Sequence, residues 1–200
     1  MRRYIWAVNQ ITLAATRPLL ATLQAAGTLR NGQHHTIAGV DVDIAHELAR
    51  ILKVDVKFNR SAKSFNEVVD VLMRGEADIA ISKLSRTLAR AQIVRFSTPY
   101  LTLKHALALN RVAFAQLSLD KPLPQVMRAF KGSIGVIDKS SFADFATRNF
   151  PQAQIRPYAT WSDVVRAVSS GEVTAAYRDE FEIKRLLKQV PAASLTLRTV

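Results

Sequence analysis

The stretch Ile81-Ser82-Lys83-Leu84-Ser85-Arg86-Thr87-Leu88-Ala89-Arg90 carries the densest chemistry in this chain of 200 residues. An apolar run delivers two hydroxyls and a loop, and a short turn then brings up an arginine. A guanidinium is a planar fork that pairs with a carboxylate through two parallel hydrogen bonds. Loop amides and a serine hydroxyl beside it would satisfy the carboxylate's remaining lone pairs. Spacing alone favours a plainer reading, in which Arg90 is an exposed helix arginine.

Other chemistries lack their residues. The chain has no cysteine, hence no disulfide, thiolate metal site or cysteine nucleophile. The adjacent pair His34-His35 cannot easily share one metal, and His46 and His105 lack companions at ligand spacing. Ser118-Leu119-Asp120-Lys121 fits Ser-x-x-Lys without that motif's other companions. No nucleophile elbow, phosphate loop or dinucleotide fingerprint occurs, so no cofactor is expected. The chain holds 28 basic and 16 acidic residues, net +12. Each half of the chain has 14 basic and 8 acidic residues, with no basic tail and no basic–aromatic interleaving. Nucleic acid is therefore an unfavoured partner, and anionic small ligands suit the charge equally well. No run approaches the ~18 apolar residues that span a bilayer.

From residue 36 onward, short apolar runs alternate with amphipathic stretches, the pattern of α/β architecture. Helices are predicted over Asp41–Leu52, Ser64–Arg74, from Ser140 or Ser141 to Arg148, over Ser162–Ser170 and over Asp179–Gln189. Strands are predicted at Asp55–Phe58, Ile79–Ile81, His105–Asn110, Ser133–Ile137, Ile155–Tyr158 and Ala175–Tyr177. Ser64 with Glu67 reads as a capping box, and Gly75 as the stop of that helix. The run Phe65-Asn66-Glu67-Val68-Val69 to Gly75-Glu76 recurs without a gap as Trp161-Ser162-Asp163-Val164-Val165 to Gly171-Glu172. Two lobes of similar αβ construction would produce that echo, as would any two capped helices running into buried strands. The predicted division is an N-terminal segment 1–35, a first lobe 36–103 and a second lobe 104–200. Met1-Arg2-Arg3-Tyr4 and the apolar residues after it read as a weak export signal or a helical linker.

Gly39-Val40-Asp41-Val42-Asp43-Ile44-Ala45, the run Gly75-Glu76-Ala77-Asp78-Ile79-Ala80-Ile81-Ser82, then Arg90, then Phe96-Ser97-x-Pro99-Tyr100 together resemble the bacterial extracellular solute-binding proteins of family 3. These are the periplasmic amino-acid receptors of ABC importers. The similarity continues through Lys131-Gly132-Ser133-Ile134-Gly135-Val136 to Asp179. It implies a two-lobed type II periplasmic-binding fold around a hinge, a ligand clasped between lobes and a membrane permease as partner. Residue by residue, Arg90 matches the arginine that grips the ligand carboxylate, and Ser85 the hydroxyl beside it. Ser140 matches a loop threonine at a helix start, and Asp179 the aspartate that pairs with the ligand ammonium. Asp179 also reads as a helix N-cap, and Phe65 matches an aromatic near the cleft or serves the core. Lys83 and Lys139 stand where the family has glycine.

Two departures shape the expectations. No first strand is evident between Leu29 and Gly39, and the family's return to the first lobe after the second is not found. The expected fold is thus an incomplete version, in a fragment or a domain of a larger transporter or sensor. The leading functional reading is non-catalytic capture of a small polar solute, an amino acid or related carboxylate, in the periplasm. Lys83, Arg86 and the net charge favour an acidic ligand. The alternatives are an interaction-only domain that has lost binding, and a cyclohexadienyl-dehydratase-like enzyme for which Glu172 and Glu180 are the candidate acids.

Overall fold

A computed structural model of the chain describes residues 19–22, 27–31, 34–119 and 121–200. The chain divides into two compact units, Met1–Leu101 and Thr102–Val200. The export-signal reading of the first fifteen residues lies outside the described residues.

In the first unit the order is β1 (Leu19–Thr22), β2 (Gly27–Asn31), β3 (His34–Ala38), α1 (Val40–Leu52), β4 (Val56–Asn59), α2 (Phe65–Arg74), β5 (Ile79–Ala80) and α3 (Leu88–Ala91). The sheet runs β4-β1-β5, all parallel, while β2 and β3 form a separate antiparallel pair. On α1, Val42, Ala45 and Ala49 recur at helical spacing and are buried. Val42 and Ala45 pack with Ile79 and Ile81, the strand that leads into the Lys83–Arg90 loop. On α2, Val68, Val69, Val71 and Leu72 are buried against Ala77, Ala80 and Val94.

The second unit contains β6 (His105–Asn110), α4 (Arg111–Ser118), α5 (Leu123–Arg128), β7 (Ser133–Ile137), α6 (Ser141–Asn149), β8 (Gln154–Tyr158), α7 (Trp161–Ser170), β9 (Ala175–Asp179), α8 (Glu180–Gln189), α9 (Ala193–Thr196) and β10 (Leu197–Thr199). Its sheet is ordered β10-β6-β9-β7-β8. β7 runs parallel to β8 and β9, whereas β6 is antiparallel to both β9 and β10. The two sides of β9 feed different cores. Ala175 and Tyr177 pack with Phe130 and Val136, and Ala176 with Val164, Val168 and Ile183. That is the alternation a half-turn per residue requires.

The sequence echo is a structural repeat. Ser64 Oγ accepts from Glu67 N–H at 3.1 Å at the head of α2, and Thr160 Oγ1 accepts from Asp163 N–H at 3.2 Å at the head of α7. Both helices end on a left-handed glycine, Gly75 at φ 78° and Gly171 at φ 81°. The capping box is displaced by one residue from the predicted form: Glu67 Oε2 accepts from Lys63 N–H at 2.7 Å. The second helix is capped by Thr160 and begins at Trp161, one residue before the predicted start.

The expectation of a missing first strand is corrected. β1 occupies the centre of the first sheet, between β4 and β5, at Leu19–Thr22. The stretch searched for it, Leu29 to Gly39, instead holds parts of the β2–β3 pair. A helical linker over 1–35 is likewise replaced, within its described residues, by strands. The physical reason is brevity: four residues, Leu-Leu-Ala-Thr, form a strand only because β4 and β5 supply partners on both sides. At the other end, β10 pairs with β6 in the second unit.

Candidate ligand-binding site

In the first unit the site is built from the end of β5, the loop after it and α3. Thr87 caps α3, its Oγ1 accepting from Arg90 N–H at 3.3 Å. The reading of Arg90 as an exposed helix arginine is overturned, because the residue is only 6% exposed. Its guanidinium donates to Ser85 O at 3.2 Å and to Asn66 Oδ1 at 2.8 Å. These two contacts fix the buried guanidinium from the loop after β5 and from the first turn of α2. Ser85 therefore acts on Arg90 through its carbonyl, and Asn66, at the first turn of α2, is a partner that local spacing does not reveal. Phe65 beside it is half-buried.

Lys83 has φ 48° and Lys139 φ 51°. Both positions require the left-handed conformation that glycine adopts without steric cost, which explains the family residue at each. The Lys83 N–H donates to Tyr100 Oη at 3.0 Å, and that hydroxyl donates to Asp41 Oδ1 at 2.9 Å. Asp41 is 6% exposed. Burial raises its pKa above the usual carboxylate value, against the opposing pulls of the Tyr100 hydrogen bond and the Lys83 charge. The Tyr100 hydroxyl is pushed up by burial and by Asp41. These three residues tie the start of α1 to the loop after β5 and to the last residues of the unit.

In the second unit the candidate residues lie at the carboxyl ends of parallel strands. Ser140 follows β7 and precedes α6; it is buried, and its Oγ donates to Ile137 O at 2.6 Å. Asp179 ends β9 and caps α8, Oδ1 accepting from Glu182 N–H at 3.0 Å. Asp179 sits opposite His105 in the β6–β9 register. Beside it, Arg178 Nε lies 3.5 Å from Asp179 Oδ2, and both side chains are 8% exposed. The Arg178 guanidinium lies over the rings of Trp161 at 5.2 Å and Phe142 at 5.8 Å. His105 Nδ1 is 2.6 Å from Tyr177 Oη, and burial lowers the pKa of that imidazole against the pull of Asp179.

Among the described residues no cluster of His, Asp and Glu is arranged to hold a metal ion. Nor is any helix among them long and apolar enough to cross a membrane. Glu172 accepts from Tyr158 Oη at 2.7 Å and Glu180 pairs with Lys184 at 2.7 Å. An ion-paired Glu180, its pKa lowered by Lys184, is ill suited to donate a proton as a general acid.

The family model of the bacterial extracellular solute-binding proteins, family 3, matches residues 28–152. The chain belongs to that family. A putative binding component of an ABC transporter from Wolinella succinogenes, solved in complex with lysine, has the same fold. Its TM-score is 0.75 at 20% identity, over 94% of this chain and 77% of that one. The type II periplasmic-binding fold is therefore the fold of this family member. The arginine-binding periplasmic protein of Mannheimia haemolytica is 24% identical over 144 residues, 72% of this chain and 54% of that protein. Membrane-bound lytic murein transglycosylase F of Idiomarina loihiensis is 32% identical over 112 residues, 56% of this chain. The chain spans only 23% of that transglycosylase.

Proposed function

We propose that this solute-binding family member captures a small polar solute without converting it, an amino acid foremost. The ligand carboxylate would pair with Arg90, assisted by Ser85, and the ammonium with Asp179. Ser140, at the head of α6, and the half-buried Phe65 would line the same ligand. The observation that carries the reading is the buried Arg90 of the first unit, held in place by Asn66 and the Ser85 carbonyl. A guanidinium held in place in this way offers a planar fork that can pair with a carboxylate through two parallel hydrogen bonds.

Family membership supports an extracytoplasmic setting, here the periplasm, and delivery to a membrane permease. A ligand with a second acid group is favoured by Lys83, by Arg86 and by the net charge of +12. Closure on ligand would shift an existing conformational equilibrium and report occupancy to the permease.

Isothermal calorimetry against the twenty amino acids tests the proposal. Saturable binding of at least one, abolished by Arg90→Ala, is expected; silence with all of them would contradict it. A second reading, a domain of a longer envelope protein that no longer binds solute, draws on the partial match to the transglycosylase. Thermal melts separate the two, since ligand at 100 times its dissociation constant adds about 2.7 kcal/mol to a working receptor and nothing to a silent one.

A further inference from the structure

We propose that Arg178 is an internal competitor for the ligand's ammonium, a residue that sets how tightly Asp179 takes a cationic group; this rests on the proposed role of Asp179. Both oxygens of Asp179 are engaged in this structure. Oδ1 accepts from Glu182 N–H at 3.0 Å, and Oδ2 faces Arg178 Nε at 3.5 Å. The first contact is a sound helix cap, whereas the second is at the long limit for a charged donor. A carboxylate offers about four acceptor directions, so a better-placed donor can take over Oδ2 while the cap persists.

Arg178 does not depend on Asp179 for its position. Its guanidinium is flanked by Trp161, the first residue of α7, and Phe142, the second residue of α6. Ring faces hold a weakly hydrated, planar cation well. Arg178 is also buried, at 7% exposure. An arriving ammonium thus meets an aspartate whose Oδ2 is already faced by a neighbouring cation. It must displace that neighbour's contact and then sit beside a like charge. Both effects weaken the binding of any ligand with an ammonium and leave a ligand without one untouched.

The test compares wild type with Arg178→Met by calorimetry, using pairs that differ only at the α-substituent: alanine and lactate, aspartate and malate, glutamate and 2-hydroxyglutarate, phenylalanine and phenyllactate. Removal of the competitor is expected to tighten the amino acid of a binding pair by about tenfold, one charge-assisted hydrogen bond, with its hydroxy acid unchanged. Arg178→Gln, which keeps polarity and loses charge, should behave the same way if the methionine variant folds poorly by circular dichroism. Equal affinity changes for both members of a pair, or weaker amino-acid binding in both folded variants, would overturn the role of Arg178 while leaving solute capture intact. Where wild type binds a different amino acid, that amino acid and its α-hydroxy analogue form the pair; binding of none of the twenty by folded wild type would overturn this role together with the proposed function.

Discussion

Arg90 Nη2 donates to Asn66 Oδ1 at 2.8 Å, joining α3 to the first turn of α2 across 24 residues of sequence. The contact aims a buried cation from one side while the Ser85 carbonyl holds it from the other. Asn66 is thereby a positioning residue for Arg90, the proposed carboxylate partner. Asn66→Ala is expected to cost about 1–3 kcal/mol of stability, because it leaves a buried guanidinium N–H without its acceptor. Ligand affinity should fall less than in Arg90→Ala. Paired thermal melts and titrations check both, and wild-type affinity in Asn66→Ala would remove the positioning role.

Lys83 and Lys139 are non-glycine residues at φ 48° and 51°. Each Lys→Gly substitution should raise stability by about 1 kcal/mol, read as a shift of several degrees in melting temperature. Affinity discriminates what strain alone does not. If Lys83 reaches a second acid group, Lys83→Gly weakens aspartate and glutamate more than alanine or glutamine. A uniform effect across these four would assign Lys83 no part in ligand choice.

Asp41 is a buried carboxylate whose pKa is raised. A raised folded-state pKa means the folded chain holds its proton more tightly than the unfolded chain. The associated stability is fully present below the unfolded value of about 3.9 and is lost as pH rises through the folded value. Asp41→Asn keeps an acceptor for Tyr100 and removes the charge. It should therefore melt higher than wild type at pH 8, with the advantage shrinking towards pH 4. A pH-independent difference would place the effect in packing instead.

His105 has the opposite sign. Its lowered pKa means that the unfolded chain takes up the proton first as pH falls. Stability is present above the unfolded value of about 6.5 and is lost as pH falls through the folded value. His105→Gln should flatten that acid limb while leaving the melting temperature near pH 8 much less affected. An unaltered acid limb would contradict the assignment.

Much of the second unit was legible in the sequence, because its elements are set by local signals. β6 and β7 begin and end where alternation and apolar runs place them, Asp179 caps α8, and Ser140 stands at the N-cap position of α6 without a side-chain cap hydrogen bond. The elements that escaped have weak local patterns. α4 has no buried residue to give it a helical apolar stripe, and its start depends on Asn110 Oδ1 accepting from the N–H groups of Val112 and Ala113. β1 and β10 are short strands defined by their partners rather than by their own residues. At the site, the left-handed positions of Lys83 and Lys139 were marked by the glycines they replace. The burial of Arg90 was not legible, since it depends on Asn66 from another helix. Arg178 drew no notice because its meaning lies in two rings from α6 and α7, far along the chain.

The most direct measurement is a double-mutant cycle on ligand affinity with Arg90→Ala, Asp179→Asn and the double variant, each titrated with the amino acid that wild type binds best. Loss of binding by more than about 100-fold in each single variant is expected, as for charge-assisted contacts at the two poles of one ligand. Titrations in which either single variant matches wild type would contradict the claim that these two residues hold the same solute.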